Sequence, residues 1–187
     1  VIDAVRDLSA AGTKAAVVLA SGFGEAGEEG QRLQAQLREA AGSMRILGPN
    51  TIGLVNLTDG IMLTASGAMD MTDFRTGGIA VLSQSGGILG SLLSRGVARG
   101  IGFSKLVATG NEADIEVADL LDAMADDPAT TVVALYLETI RNVEKFRRAA
   151  ARVIAAGKSI VAYKVGRSET GAQSAVSHTG ALAGADR

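Results

Sequence analysis

The sequence predicts an α/β protein built on a parallel, doubly wound sheet. Short apolar runs alternate along the chain with longer stretches that carry apolar residues at helical spacing. The short runs are mostly continuous rather than alternating, which is typical of parallel strands covered on both faces. Such strands are joined by crossover helices, so we expect helices on both sides of the sheet.

Apolar runs mark the predicted strands: Lys14–Ala20, Met44–Leu47, Ile52–Asn56, Gly78–Ser83, Phe103–Thr109, Thr131–Glu138 and Ser159–Lys164. Stretches with helical spacing mark the predicted helices: Val1–Ala11, Glu25–Ala41, Gly86–Arg99, Asp114–Asp126 and Val143–Ala156. Because most of these helices fall between two strands, the order of elements is that of repeated β–α units.

The alternation is interrupted at Leu57–Gly77, where short polar and glycine-bearing turns leave no helix long enough for a crossover. We therefore predict a domain boundary near residue 57, with one unit in residues 1–57 and another in 58–187. The first unit has too little predicted sheet to stand alone. Since the chain opens on Val1 in full helical spacing, we expect a fragment of a longer protein.

Composition excludes several classes of function. The 18 Lys and Arg against 20 Asp and Glu, with 3% aromatic residues and no Trp, argue against a nucleic-acid partner. Without Cys and with a single His, the chain is not expected to hold a Cys-based zinc site, an iron–sulfur cluster or a multi-histidine metal site, and a metal would need carboxylates alone; we assign no metal-binding residue. No run approaches the roughly 18 apolar residues of a membrane span, so we expect a cytoplasmic protein without a membrane partner.

The segment Gly22–Gly27 matches the pattern G-x-G-x-x-G between a predicted strand and a predicted helix. Backbone N–H groups in such a turn can face a phosphate. The acidic residue that a dinucleotide site needs about 20 residues later is missing, so NAD is not favoured. A general phosphate-binding turn and a merely structural use of the glycines both remain open.

A second turn, Ser83-Gln84-Ser85-Gly86-Gly87, ends a predicted strand and begins a predicted helix. Hydroxyls and free backbone donors at a helix N-terminus form an anion site. An ordinary cap by Ser85 needs one hydroxyl and no pair of glycines. The two serines and two glycines therefore favour a ligand.

Two further residues belong to the same edge of the sheet. Glu138 ends the strand Thr131–Glu138, and His178 lies among small residues in a loop beyond the strand Ser159–Lys164. Ligands bind α/β sheets at the carboxyl ends of the strands. A carboxylate that accepts the proton of one imidazole nitrogen leaves the other nitrogen free to react.

These residues admit two chemistries. In one, His178 accepts a phosphoryl group that the helix start at Ser85–Gly87 stabilises, while Glu138 orients the ring. In the other, Ser85 is the nucleophile of a hydrolase and His178 is its base. The hydrolase motif G-x-S-x-G is incomplete because Ser83 replaces its first Gly, but spacing alone does not decide.

Four stretches together resemble the NDP-forming acyl-CoA synthetases: Val17–Phe23, Gly48-Pro49-Asn50, Ser83–Gly87 and Ser177–Gly184. That family includes ADP-forming acetate–CoA ligase and, more distantly, the succinyl-CoA synthetase α subunit. The resemblance implies that residues 1–57 are the C-terminal part of a Rossmann-type CoA-binding domain. It also implies that residues 58–187 form a flavodoxin-like ligase domain.

The resemblance implies a reaction in which acyl-CoA, phosphate and NDP interconvert with acid, CoA and NTP. It assigns the phosphohistidine to His178 and the carboxylate that contacts it to Glu138. The phosphate-binding residues are then Ser83, Ser85, Gly86 and Gly87, and the CoA-contacting residues are Ser21, Gly22 and Phe23. In succinyl-CoA synthetases a tyrosine occupies the place of Gly90, so succinate is not the expected substrate.

The resemblance also implies partners. ADP or ATP with Mg²⁺ would bind an ATP-grasp domain or subunit outside this chain, and the chain alone would not turn over. The expected substrates are CoA, phosphate and a small carboxylic acid, and an oligomer is expected. Related domains fused to acetyltransferases act as acyl-CoA-responsive regulators, but these typically lack the histidine, so His178 favours the enzyme.

Overall fold

The computed structural model describes residues 1–67 and 74–166. The N-terminal part contains α1 (Ile2–Ala10), β1 (Ala15–Val17), a 3₁₀ turn (Gly24–Ala26), α2 (Glu28–Ala41) and β2 (Arg45–Leu47). It is followed by β3 (Gly53–Asn56), β4 (Ile61–Thr64), β5 (Thr76–Ser83), α3 (Gly86–Ala98) and β6 (Phe103–Ala108). The last elements are α4 (Val117–Asp126), β7 (Val132–Leu137), α5 (Val143–Ala155) and β8 (Ser159–Lys164). Each predicted helix and strand overlaps one of these elements.

The strands form two sheets. β1 and β2 pair in parallel, and the larger sheet has the order β4-β3-β6-β5-β7-β8. Its pairs β5–β6, β5–β7 and β7–β8 are parallel. The prediction of a mostly parallel α/β sheet is therefore confirmed.

Helices cover both faces of the larger sheet. Successive side chains of β5 point to opposite faces. Leu82 packs in a cluster with Leu121 of α4 and Val153 of α5, whereas Val81 packs in another with Leu93 of α3. The fold is thus doubly wound, as the continuous apolar runs predict. No helix among residues 1–67 and 74–166 is long and apolar enough to cross a membrane.

The break expected at Leu57–Gly77 contains a strand that the sequence analysis did not predict. β4 pairs antiparallel with β3, and β3 pairs antiparallel with β6. The parallel orientation predicted for Ile52–Asn56 is therefore wrong: β3 runs against both of its neighbours, and a short turn reverses the chain between β3 and β4. In that turn the Asn56 side chain accepts the N–H of Asp59 at 3.1 Å, and Gly60 has a φ of 67°.

This hairpin bears on the predicted domain boundary. Residue 57 lies in the turn between β3 and β4, and both strands belong to the larger sheet. The N-terminal unit that has a core of its own is formed by α1, β1, α2 and β2, with Val5, Leu37 and Ile46 buried together. The division into a CoA-binding and a ligase domain stays a prediction.

The N-terminal unit is joined to the larger sheet along the chain that leaves β2. The backbone N–H groups of Asn111 and Ala113 donate to the carbonyls of Pro49 and Gly48, each at 2.9 Å. Close approach is possible because residue 110 is Gly: a Cβ there would lie 2.3 Å from the carbonyl oxygen of Pro49. The carboxyl ends of the two sheets are therefore held side by side.

Candidate functional site

A cleft of about 640 Å³ lies where the strands of both sheets end. Its walls come from the segments that follow β1, β2, β5, β6 and β7. The residues that line it are Leu19, Ser21, Gly24, Gln31, Gln34, Asn50, Thr51, Ile52, Gln84, Ser85, Gly86, Gly87, Gly110, Asn111, Glu112, Glu138, Thr139 and Arg141. Doubly wound proteins bind their ligands in this position, outside the carboxyl ends of the strands.

The start of α3 faces the cleft through Ser85, Gly86 and Gly87. A Cβ at Gly86 would lie 2.8 Å from Cγ2 of Ile52, whereas a Cβ at Gly87 would have no atom within 4 Å. Gly86 thus lets Ile52 pack against the helix, and Gly87 leaves the helix start open. The first N–H groups of a helix have no partner within it, and the helix dipole adds positive potential there. These residues form a site suited to an anion.

Ser83 lies away from the cleft, unlike Ser85, Gly86 and Gly87, the other residues predicted to bind phosphate. It is fully buried and does not line the cleft. Its hydroxyl donates to the carbonyl of Ser85 at 2.7 Å and accepts the Ser85 N–H at 3.1 Å. Both bonds shape the turn that leads into α3, so the hydroxyl is engaged within the protein. Ser85 is the N-cap residue, but its side chain caps no backbone N–H.

Glu138 follows β7 and lines the cleft, as predicted for a strand-terminal carboxylate. The residue is 7% exposed. Tyr136 lies in β7, two residues before Glu138. Burial and the negative charge of Glu138, with a smaller effect of Tyr163, raise the pKa of Tyr136. The structure therefore brings Glu138 and the helix start at Ser85–Gly87 to one cleft.

Gln84 is a cleft residue that the sequence analysis did not select. Its side-chain oxygen Oε1 accepts the backbone N–H groups of Glu138 at 2.6 Å and Thr139 at 2.9 Å. Its Nε2 donates to the Thr139 carbonyl at 2.9 Å and to Oε1 of Glu112 at 3.0 Å. All hydrogen-bonding positions of this amide are used, so the side chain is held in one orientation.

Glu112 is a second buried residue that the sequence analysis missed. It is 3% exposed and has a φ of 54°, which is unusual for a residue other than Gly. Burial raises the pKa of its carboxyl group, and hydrogen bonds such as that from Gln84 oppose this rise only in part. Its Oε2 lies 3.8 Å from Nε of Arg141. Arg141 is the one cationic side chain among the described residues that line the cleft.

The glycine-rich turn after β1 carries an anion of its own. The N–H of Gly22 donates to Oε1 of Glu25 at 2.5 Å, and the N–H of Gly24 donates to Oε1 of Gln34 at 3.1 Å. Local side chains thus occupy the N–H groups of Gly22 and Gly24, and a phosphate-binding role of this turn stays a prediction. Phe23 is buried in the N-terminal core, whereas Ser21 lines the cleft.

Asn111 connects this turn with the rest of the cleft. Its Nδ2 donates to Oε2 of Glu25 and, at 3.1 Å, to Oε1 of Gln34. Its backbone carbonyl accepts a hydrogen bond from the Arg141 guanidinium at 2.8 Å. The wall that comes from the N-terminal unit is therefore fixed to the wall that comes from the larger sheet. These pairs are distant in sequence, and no local pattern marks them.

His178 and the stretch Ser177–Gly184 lie outside the described residues, so the structure says nothing of how the imidazole and Glu138 are arranged. Within residues 1–67 and 74–166, no group of three or more His, Cys, Asp or Glu side chains is placed to hold a metal ion.

These observations define the class of the protein: a doubly wound α/β protein with an open helix start and a buried carboxylate at one edge of its sheet. Residues 76–187 match the family described as succinyl-CoA ligase like flavodoxin domain. The chain belongs to this family.

Curated relatives extend the match over nearly the whole chain. The acetate–CoA ligase [ADP-forming] I subunit alpha of Pyrococcus furiosus is 40% identical over 178 residues, which cover 94% of this chain and 37% of the relative. A trans-feruloyl-CoA synthase from an unknown prokaryotic organism is 40% identical over 187 residues, covering 98% of this chain and 26% of the relative. The chain thus spans well under half the length of these proteins.

A solved structure shares the fold. The dinucleotide-forming acetyl-coenzyme A synthetase 1 of Ca. Korarchaeum cryptofilum, in complex with phosphate and ADP, superposes with a TM-score of 0.89 at 38% identity. The similarity covers 98% of this chain and 39% of that one. The flavodoxin-like assignment of the sheet is confirmed by this structure and by the family match.

Proposed function

We propose that the chain is part of an NDP-forming acyl-CoA synthetase, which interconverts acyl-CoA, phosphate and NDP with acid, CoA and NTP. Family membership and the names of the relatives support a ligase of this kind. The observation that carries the proposal is the shared cleft of the helix start Ser85–Gly87 and the carboxylate of Glu138. An anion site beside a buried carboxylate is what phosphoryl transfer to an imidazole needs.

The first step in this proposal takes place at the start of α3. Inorganic phosphate attacks the thioester carbonyl of acyl-CoA, the C–S bond breaks, and acyl phosphate and CoA are formed. The N–H groups of Gly86 and Gly87 stabilise the negative charge of the phosphoryl oxygens, because they are fixed in place before the reaction. Arg141 adds positive charge on the other wall of the cleft.

In the second step a nitrogen of His178 attacks phosphorus, the P–O bond to the acyl group breaks, and the carboxylic acid leaves as its anion. Glu138 accepts a hydrogen bond from the N–H of the other ring nitrogen and so favours the reactive tautomer. The phosphoryl group then passes from His178 to NDP. We propose that NDP and Mg²⁺ bind an ATP-grasp partner, in keeping with relatives that are named as alpha subunits.

CoA is proposed to reach the cleft along the turn Ser21-Gly22-Phe23. Because Glu25 already accepts the N–H of Gly22, this turn offers the Ser21 side chain and carbonyl groups rather than an empty anion site. Phe23 contributes by packing beneath the turn. The phosphate that reacts is therefore expected at Ser85–Gly87 and not at the glycine-rich turn.

The proposal is tested with the full-length protein and its ATP-grasp partner. After incubation with radiolabelled phosphate and acetyl-CoA, we expect an acid-labile, base-stable phosphoryl adduct, which His178→Ala abolishes. Gln36→Glu, an exposed substitution on α2, serves as the control. Fluorophosphonate labelling of Ser85 without any phosphohistidine would establish a hydrolase instead. Binding of acyl-CoA without an adduct would support a regulatory domain.

A further inference from the structure

Gln84 occupies the point where β5 ends and the chain turns into α3. Its backbone N–H still pairs with β7, donating to the carbonyl of Tyr136 at 3.1 Å. Beyond that point the backbone of the two segments separates, and the Gln84 side chain continues the pairing with the backbone of Glu138 and Thr139. The Gln84 side chain thus makes the hydrogen bonds that a further backbone residue of β5 would make with the segment after β7.

From this geometry we infer that Gln84 is a positioning residue, which sets the place of Glu138 relative to the phosphate-binding start of α3. The inference rests on the proposed function. Gln84 is the immediate neighbour of Ser85 in sequence, and its Oε1 holds the backbone N–H of Glu138 at 2.6 Å. Any shift of the helix start is therefore transmitted to the carboxylate, and any shift of the carboxylate to the helix start.

The orientation of the amide is determined by what surrounds it. Its oxygen faces two backbone N–H groups, and its NH₂ faces the carbonyl of Thr139 and Oε1 of Glu112. A flipped amide would point its oxygen at a carbonyl and a carboxyl group. Glu112 is fixed in turn, because the same Oε1 accepts the N–H of Val117 at the start of α4 at 3.1 Å.

Two substitutions of similar size at position 84 differ in which of these hydrogen bonds they keep. Gln84→Glu keeps the acceptor toward Glu138 and Thr139 but places a second oxygen against Oε1 of Glu112. Gln84→Met keeps the volume and loses every side-chain hydrogen bond. Glu112→Gln alone keeps an amide oxygen that can accept from Gln84 and Val117, and it loses the charge that faces Arg141. In the double variant the amide at position 112 can turn its NH₂ toward the carboxylate at position 84 and donate to it, but its oxygen then no longer accepts the N–H of Val117, so the repair is partial.

The experiment measures phosphohistidine formation in a single turnover of the full-length protein with its ATP-grasp partner. We expect Gln84→Met and Gln84→Glu to lower the rate at saturating phosphate by roughly 10- to 100-fold, the range that misplacement of a reacting group produces. The phosphate concentration for half-maximal rate should change little, since Gly86 and Gly87 are unaltered. The double variant Gln84→Glu with Glu112→Gln should recover part of the rate, and Gln36→Glu should match the unsubstituted protein.

Several results would overturn the inference. One is a rate of phosphohistidine formation in Gln84→Met equal to that of the unsubstituted protein. Another is a double variant that forms phosphohistidine no faster than Gln84→Glu. A rise in the half-maximal phosphate concentration with an unchanged maximal rate would assign Gln84 to binding instead. If the Gln84 variants do not fold, Glu112→Leu, which leaves one Gln84 amide hydrogen and the N–H of Val117 unpaired, must still slow formation of the adduct. No adduct in the unsubstituted protein would reject the proposed function itself, which separates the two failures.

Discussion

The carboxylate of Glu25 accepts the backbone N–H of Gly22, with 2.5 Å between Oε1 and the nitrogen. Burial acts to raise the pKa of Glu25, but hydrogen bonds from Asn111 and from the backbone N–H groups of the turn outweigh it and hold the pKa below its usual value. The turn that resembles a phosphate-binding loop therefore carries an internal anion. The hydrogen bond that Asn111 donates to Glu25 ties the turn to the opposite wall of the cleft.

Replacing Glu25 by Ala should lower the free energy of unfolding at pH 7 by about 1 kcal/mol, the worth of hydrogen bonds to a partly exposed charge. Since the folded pKa lies below the ordinary 4.5, the ionised carboxylate stabilises the fold above that pH, and the stabilisation is lost as the pH falls through the folded pKa. Urea unfolding at pH 7 and near pH 3 should show the difference shrinking in acid. An equal difference at both pH values, or one as small as that of the exposed Glu39→Gln, would contradict this.

Asp114 should matter more for stability than any ion pair on the surface. Its side chain is 13% exposed and contacts Arg38 at 2.6 Å and Arg45 at 2.9 Å, and it accepts the N–H of Ile46 at 2.8 Å. Because it links α2 and β2 to the segment after β6, Asp114→Ala should cost about 2 kcal/mol at pH 7. Burial acts to raise the pKa of Asp114, but these partners hold it below its usual value, so the loss should diminish below about pH 3.8.

The matched control for Asp114 is Asp3→Ala, which removes an ion pair with Arg6 from a side chain that is 91% exposed. Exposed pairs contribute on the order of 0.5 kcal/mol or less. Thermal and urea unfolding of both variants should therefore rank Asp114→Ala well below Asp3→Ala in stability. Similar values for the two would show that the Asp114 contacts do not hold the units together.

Gly87→Ala should leave the fold intact and weaken phosphate binding. A Cβ at this position meets no atom within 4 Å, so no clash is introduced into the protein. The methyl group would instead enter the open space at the helix start, where we place the phosphate. We expect an unchanged melting temperature and a phosphate KM raised several-fold. Leu92→Ala on the same helix should leave the KM unchanged, and a KM unaffected by Gly87→Ala would place the phosphate elsewhere.

Arg141→Gln should also raise the KM for phosphate, by about 10-fold for the loss of one close charge contact. Arg141→Lys keeps the charge but loses the planar guanidinium that reaches the carbonyl of Asn111. If charge in the cleft is what matters, the lysine variant should lie much closer to the unsubstituted protein than the glutamine variant does. Equal effects of both would instead assign Arg141 to holding the Asn111 loop.

Parts of the cleft were predictable because parallel strands deliver their C-terminal residues to one edge of the sheet. Glu138 and Ser85–Gly87 follow two such strands, and the structure places them on one cleft. The second strand of the β3–β4 hairpin was not predicted, although Asp59-Gly60 is a local turn signal. The apolar residues that follow this turn are few, and they are about half-exposed. A strand of four residues at the edge of a sheet leaves little periodicity to read.

Other parts were not predictable from local patterns. The contact of Gln84 with Glu112 joins residues 28 positions apart, and that of Glu25 with Asn111 joins residues 86 apart. Such partners are brought together by packing of the elements and leave no mark on neighbouring residues. The burial of Ser83 behind the helix start depends likewise on its own turn, in which the hydroxyl bonds to the residue two positions on.

Mapping the phosphorylated residue tests most directly whether His178 carries the phosphoryl group. Trypsin cleavage after Arg167 should release a peptide of residues 168–187, which contains the one histidine of the chain. After reaction of the full-length protein and its partner with acetyl-CoA and phosphate, mass spectrometry under alkaline conditions should find one phosphoryl group on His178. The amount formed at short times should be reduced in Glu138→Gln. A phosphoryl group on a serine, or an unmodified peptide during turnover, would contradict the account.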